Sequence, residues 1–311
     1  MIGFLSGNSK KSYIYPMENK VVYFKNIQAK YICIIVILFY LLSIGGCKTH
    51  KVEPYSFFVA GHVYGSPFRK APGLHPPFVE EFDFIRQVPH LKFGFFTGDI
   101  VYYSRDTFWN AIDEQVEDLG APVYFAVGNH DEGHRSPYKE RYGKTFFGFE
   151  KNNDLFLVLN TGFNGWNIKG EQLEFLKKQL KKARHFKNVF IFFHHVLWWS
   201  PDNKFRLSPP NSLDGRSPQI NFWSEIMPLL HGIEKPVYCF AGDVGANFKS
   251  ASFFAHQENN VHFLASGMGN LKDDNYLLVK VGVDKKVDIE VRWMQKNKTQ
   301  LIQWEKISPN P

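Results

Sequence analysis

Cysteine is scarce: Cys33, Cys47 and Cys239 are the only three in 311 residues. A small scaffold stapled by several disulfides is therefore excluded. A long hydrophobic run is also missing, because a membrane-spanning helix needs about 20 apolar residues, and the longest apolar run, Tyr31 to Gly46, has sixteen. Charge of one sign is nearly balanced as well. The 37 Lys and Arg exceed the 30 Asp and Glu to give +7, but Lys10, Lys11, Lys20, Lys25 and Lys30 against Glu18 alone place +4 of this in residues 1–47. The remaining chain is so close to neutral that nucleic acid is excluded as the main partner. Internal repeats and low-complexity segments are absent too, which excludes a solenoid.

What is abundant is phenylalanine, 31 residues beside 14 Tyr and 7 Trp, so the aromatics are first of all packing material. The length suits one large α/β domain with a leader and a few long loops. Residues 1–47 join a basic flank, an apolar core and small residues, the pattern of a secretory signal. Ile44-Gly45-Gly46-Cys47 resembles a bacterial lipobox, which implies cleavage before Cys47, a lipid on its thiol, and an exported lipoprotein at the periplasmic membrane or cell surface. An uncleaved anchor is the alternative, and Met17 is an alternative start. The expected organisation is a signal peptide at 1–47, a tether at 48–54, one domain at 55–296 and a tail at 297–311. Cys239, inside the apolar run Pro236 to Phe240, reads as a buried thiol.

Three apolar runs end in polar clusters. Phe95-Phe96-Thr97 leads to Gly98-Asp99, Val123-Tyr124-Phe125 to Gly128-Asn129-His130-Asp131, and Phe190-Ile191-Phe192-Phe193 to His194-His195. Each run reads as a buried strand. An amide oxygen, carboxylates and imidazoles at strand ends can bind a metal while leaving one imidazole to move protons, so the three ends point to one site. Another strand, Tyr55 to Ala60, runs into Gly61-His62. Helices are predicted over 106–119, 172–184 and around 220–230, with Lys177, Lys178, Lys181 and Lys182 on a solvated face of the second. Further strands are predicted at 155–160, from 237, at 261–265, and as a hairpin over 276–283 and 286–295. Ser200 to Pro218, rich in Pro and Ser, reads as a lid or specificity loop.

In this order, Gly98-Asp99, Gly128-Asn129-His130-Asp131 and His194-His195 resemble the calcineurin-like metallophosphoesterases over roughly residues 55–283. The resemblance implies an α/β fold, a four-layer α/β/β/α sandwich of two mixed sheets flanked by helices. It implies hydrolysis of a phosphate mono- or diester, a phosphorylated small molecule, by a metal-activated water. Asp99 would bridge two metals, Asn129 and His194 would be ligands, and His130 would protonate the leaving oxygen while Asp131 orients its imidazole. His195 becomes a neighbour that hydrogen-bonds the site. Trp198 and Trp199 either line a substrate pocket or cap the core. Tyr102 completes a Gly-Asp-x-x-Tyr that is similar to the purple acid phosphatase branch, or packs beneath the loop.

The chain departs from the family pattern twice. Ala60-Gly61-His62 stands where Asp-x-His is expected, and Gly242-Asp243-Val244-Gly245 where Gly-His-x-His is expected. One metal would keep only His62 and Asp99, and His62 also reads as a plain loop histidine. The other would keep Asp99, Asn129, His194 and, as a replacement, Asp243. One or two divalent ions are thus expected among Mn, Mg, Ca, Zn and Fe, with Asp243 favouring the harder ions. The alternative is an inactive binding protein on the same scaffold, anchored at the membrane surface. The sequence sets no oligomeric state.

Overall fold

The computed structural model describes residues 53–304, apart from 134, 248 and 249. The segment expected to be a signal peptide, with the lipobox-like Cys47, and most of the expected tether lie outside the described residues. Among the described residues no helix is long and apolar enough to cross a membrane.

In chain order the strands are β1 (Tyr55–Ala60), β2 (Leu91–Thr97), β3 (Val123–Ala126), β4 (Phe147–Lys151), β5 (Asp154–Val158), β6 (Val189–Phe192), β7 (Val237–Ala241), β8 (Phe253–Glu258), β9 (Val261–Ser266), β10 (Asn275–Val281), β11 (Val287–Trp293) and β12 (Lys298–Leu301). The helices are α1 (Pro76–Glu80), α2 (Phe82–Arg86), α3 (Asp106–Leu119), α4 (Tyr138–Tyr142), α5 (Gly170–Lys182) and α6 (Met227–His231), the last entered through a π-helical turn at Phe222–Ile226. Two six-stranded sheets form, ordered β12-β11-β10-β1-β2-β3 and β4-β5-β6-β7-β9-β8. β1, β2 and β3 run parallel, as do β5, β6, β7 and β9, and antiparallel strands complete both sheets. Two mixed sheets flanked by helices are the expected architecture.

Alternation along the parallel strands builds three cores. Tyr55, Phe57, Phe93, Phe95, Phe156, Phe190, Phe192, Tyr238 and Phe240 point between the sheets, where Phe95 stacks on Phe192 with centroids 3.6 Å apart. Their neighbours point outward. Phe58, Phe96 and Phe125 meet α1, α2 and α3 through Phe78, Phe82, Trp109 and Ile112. Leu155, Ile191 and Cys239 meet α5 and α6 through Leu173, Leu176 and Leu230. Both faces of these strands are buried, which is why they read as unbroken apolar runs.

Residues 52–311 form a compact unit of their own, containing both sheets and all three cores. The tail expected from 297 is corrected: Lys298–Leu301 pairs with β11, so the domain continues beyond 296.

Candidate metal centre

The site lies where the parallel strands of both sheets end. His62 follows β1, Asp99 follows β2, residues 128–131 follow β3, His194 and His195 follow β6, and Asp243 follows β7. The chain comes so close here that a Cβ on Gly128 would stand 2.4 Å from Asp99 Oδ1. His62 and Asp99 adopt left-handed backbone angles, φ 52° and 50°, unusual for residues other than glycine and typical of strained functional turns. His62 N–H donates to the Gly98 carbonyl, and Tyr64 N–H donates to that of Asp99, which lock the two turns together.

Asp99 is buried at the middle. Its Oδ1 lies 3.4 Å from His194 Nε2 and its Oδ2 lies 3.4 Å from His62 Nε2, while His130 N–H donates to Oδ1 at 3.2 Å. Burial alone would raise its carboxyl, but the imidazoles of His194, His62 and His130 together with the His130 N–H hold it below the usual carboxylate range. Burial pushes His62 down to about 4, against the opposing pull of Asp99.

His194 is fully buried, and its Nδ1 donates to the Thr97 carbonyl at 2.9 Å. Its Nε2 makes no hydrogen bond, and neither does Oδ2 of buried Asp243. Ligand atoms of His194, His195 and Asp243 all lie within 4.8 Å of one another. Burial, and then the charge of Asp99, push the Asp243 carboxyl well above its ordinary range. Buried polar atoms without partners are costly, and a divalent cation satisfies an imidazole nitrogen and a carboxylate oxygen together. The donor set therefore fits a metal.

His130 is partly exposed. Its Nδ1 lies 2.9 Å from the Tyr102 carbonyl, which can only accept, so this nitrogen carries the proton and Nε2 is free. The predicted orientation of His130 by Asp131 is corrected here. Asp131 Oδ1 accepts the N–H groups of Ile100 (2.7 Å) and Val101 (3.0 Å), and its Oδ2 accepts that of Gly128 (2.7 Å). It ties two turns together and leaves the imidazole to a backbone carbonyl. The Tyr102 ring packs edge-on against Tyr64 and Tyr103.

His195 is held by Thr161, whose hydroxyl lies 2.8 Å from its Nδ1, and its ring stacks on Trp166 at 4.1 Å. Burial and then His194 push its pKa well below the ordinary value. Beside it opens a cavity of about 430 Å³, lined by Asn129, Glu132, Lys139, Phe163, Trp166 and His195 among others. Asn129 is exposed there, and Asp214 and Gly215 of the long loop reach the same wall. Trp198 and Trp199 do not line it. Trp198 is fully buried against Phe254 and Phe263, and Trp199 belongs to the same core, so of their two expected roles the core one holds, and Trp166 and Phe163 form the pocket wall.

Thr161, Phe163 and Trp166 were not singled out by sequence, although a polar and aromatic segment straight after a buried strand is a usable signal. The buried His75–Asp274 pair, at 2.8 Å, was missed as well. It joins the loop after β1 to the one after β9, and nothing in the local sequence marks it.

Comparison with known families matches residues 49–246 to the calcineurin-like phosphoesterases. Among solved structures, a purple acid phosphatase from yellow lupin aligns with a TM-score of 0.56 at 13% identity, covering 81% of this chain and 54% of the lupin chain. A 5'-nucleotidase from Candida albicans aligns with a TM-score of 0.44 at 11% identity, covering 80% and 53% of the two chains. The chain thus spans about half the length of each. The lupin likeness shows the fold. No curated protein matches the sequence.

Proposed function

The chain belongs to the calcineurin-like phosphoesterase family, and on that premise we propose that it hydrolyses a phosphate mono- or diester outside the cytoplasm with a divalent metal. The observation that carries this reading is the pair of buried ligand atoms that make no hydrogen bond, His194 Nε2 and Asp243 Oδ2, beside an imidazole that is free to act. A divalent cation in this place supplies Lewis acidity toward a phosphoryl group and toward water. The remaining steps belong to the chain. With Nδ1–H of His130 donating to the Tyr102 carbonyl, Nε2 takes up a second proton from solvent, and the imidazolium so formed delivers it from Nε2 to the leaving oxygen, returning to the neutral Nδ1–H ring. Asn129 lines the cavity and offers hydrogen bonds to the ester, and Phe163 and Trp166 give the leaving group an apolar wall.

The test is an assay of aryl phosphate mono- and diesters with residues 52–311 and added manganese. Metal-dependent turnover is expected, falling at least a hundredfold in His130→Ala. Absence of turnover with metal bound would instead support a binding scaffold, the reading favoured by Ala60 and by Gly245, neither of which offers a ligand atom. Export rests on the basic flank and the apolar run ending at Cys47. Fatty-acid labelling of the full chain, expected to vanish in Cys47→Ser, tests it.

A further inference from the structure

We propose that this centre holds one divalent cation rather than a pair, seated on His194, His195 and Asp243 with Asp99 completing the set. The inference rests on the phosphoesterase reading only in expecting a metal at all; the number and the ligands come from this chain's geometry.

The side of the site next to His62 has too few donors. Ala60 has none to offer. Gly245 stands at φ 81°, and a Cβ there would lie 2.7 Å from the carbonyl carbon of Gly267 and 2.8 Å from its oxygen. No side chain enters that position without moving the backbone. What remains is His62 and Asp99, 3.4 Å apart, where a bound ion takes three or four protein ligands.

The opposite side is better supplied. Ligands sit about 2.0 to 2.2 Å from an ion of this kind, so two on one ion stand at most about 4.4 Å apart. The three donor atoms of His194, His195 and Asp243, within 4.8 Å of one another, need to close in by only a few tenths of an ångström. Asp99 Oδ1, 3.4 Å from His194 Nε2, already has the separation of neighbouring ligands. His194 Nε2 and Asp243 Oδ2 are buried without a hydrogen-bond partner, and the two carboxylates match the ion's charge.

His195 is the unexpected member. The resemblance gives it only a neighbouring role, but Thr161 at its Nδ1 and Trp166 against its face hold it as ligand histidines are held, with one nitrogen engaged and the other left for the ion. It also replaces the imidazole lost at Asp243. Two imidazoles with two carboxylates suit zinc, manganese or iron better than magnesium or calcium, so of the harder ions expected from Asp243 only manganese keeps its place.

The test is calorimetric titration of chelator-treated residues 52–311 with Mn²⁺ and Zn²⁺, with elemental analysis and the visible spectrum of the Co²⁺ form. One ion per chain is expected. His195→Gln should weaken binding at least tenfold and change the Co²⁺ spectrum, with an unchanged circular dichroism spectrum to show that it folds, and His62→Gln should leave the stoichiometry at one. Two ions per chain, or undiminished affinity and an unaltered spectrum in His195→Gln, would overturn the inference. Turnover is scored separately on the same samples. One ion without turnover leaves this inference standing and removes the enzymatic reading, whereas two ions with turnover do the reverse.

Discussion

Both oxygens of Asp131 are taken by backbone N–H groups of two different turns, so removing its charge acts on the shape of the site before it touches any chemistry. In Asp131→Asn at least one of these buried donors loses its acceptor, at a cost of about 2 to 3 kcal/mol. For a domain of this size that lowers the melting temperature by roughly 4 to 10 °C. Thermal denaturation is the check. His130→Ala, at a partly exposed position with one side-chain hydrogen bond, should shift it far less. A stable Asp131→Asn with an altered pH profile of turnover would restore the orienting role. The sequence made residues 130 and 131 neighbours and suggested that they act on each other, but neighbours in a turn point their side chains to different partners. Trp198 and Trp199 stayed open between pocket and core for a related reason: the sequence shows that they follow a ligand, and only packing shows that both enter the core. At Gly245 the backbone decides. Gly245→His, which would restore the family's residue, is expected to cost more than about 2 kcal/mol without adding a second ion, because both φ and the Gly267 backbone oppose a side chain. Denaturant unfolding and metal stoichiometry read the two effects.

At the scale of elements, legibility followed burial. β1, β2, β5, β6, β7 and β9 are apolar on both faces and stand out in the sequence, and α3 was bounded correctly by its apolar spacing and by Gly120, its left-handed cap. β4, β8 and β12 were not foreseen. They sit at sheet edges, alternate or are exposed, and carry too short a pattern to separate from loops. The joining of the two sheets was equally hidden. Tyr55 of β1 donates its hydroxyl to Asp154 of β5 at 2.7 Å, and the same carboxylate accepts the N–H of Asn188 at 3.0 Å. This contact bridges the sandwich at the end opposite the metal ligands. Tyr55→Phe keeps the ring and leaves Asp154 one partner short, so a loss of about 1 to 2 kcal/mol is expected in denaturant unfolding. An effect near zero would show that Lys285, 3.5 Å from the same oxygen, takes over.

For the whole molecule, the strongest pH signal away from the metal ligands comes from His262. It is buried between Tyr238 and Trp304, and burial lowers its pKa to about 4, with the backbone bonds of Val237 and Asn260 acting the other way. The unfolded chain holds such a group near 6.5. Because the folded value is the lower one, protonation favours the unfolded state: this contribution is fully present above pH 6.5 and is lost as pH falls toward 4. The amount at stake is up to about 3 kcal/mol. Raw stability will not isolate it, since Asp131, Asp154 and Asp243 have raised pKa values, which work in the opposite direction on acidification. The difference between the natural chain and His262→Phe does isolate it, because the aspartates cancel and the ring stays in its stack. Denaturant unfolding of metal-free protein at pH 7.5, 6.0 and 4.5 should show His262→Phe gaining on the natural chain at each step down. A gap that stays constant would mean that His262 finds a partner for its proton in the fold, and that acid sensitivity arises among the metal ligands instead.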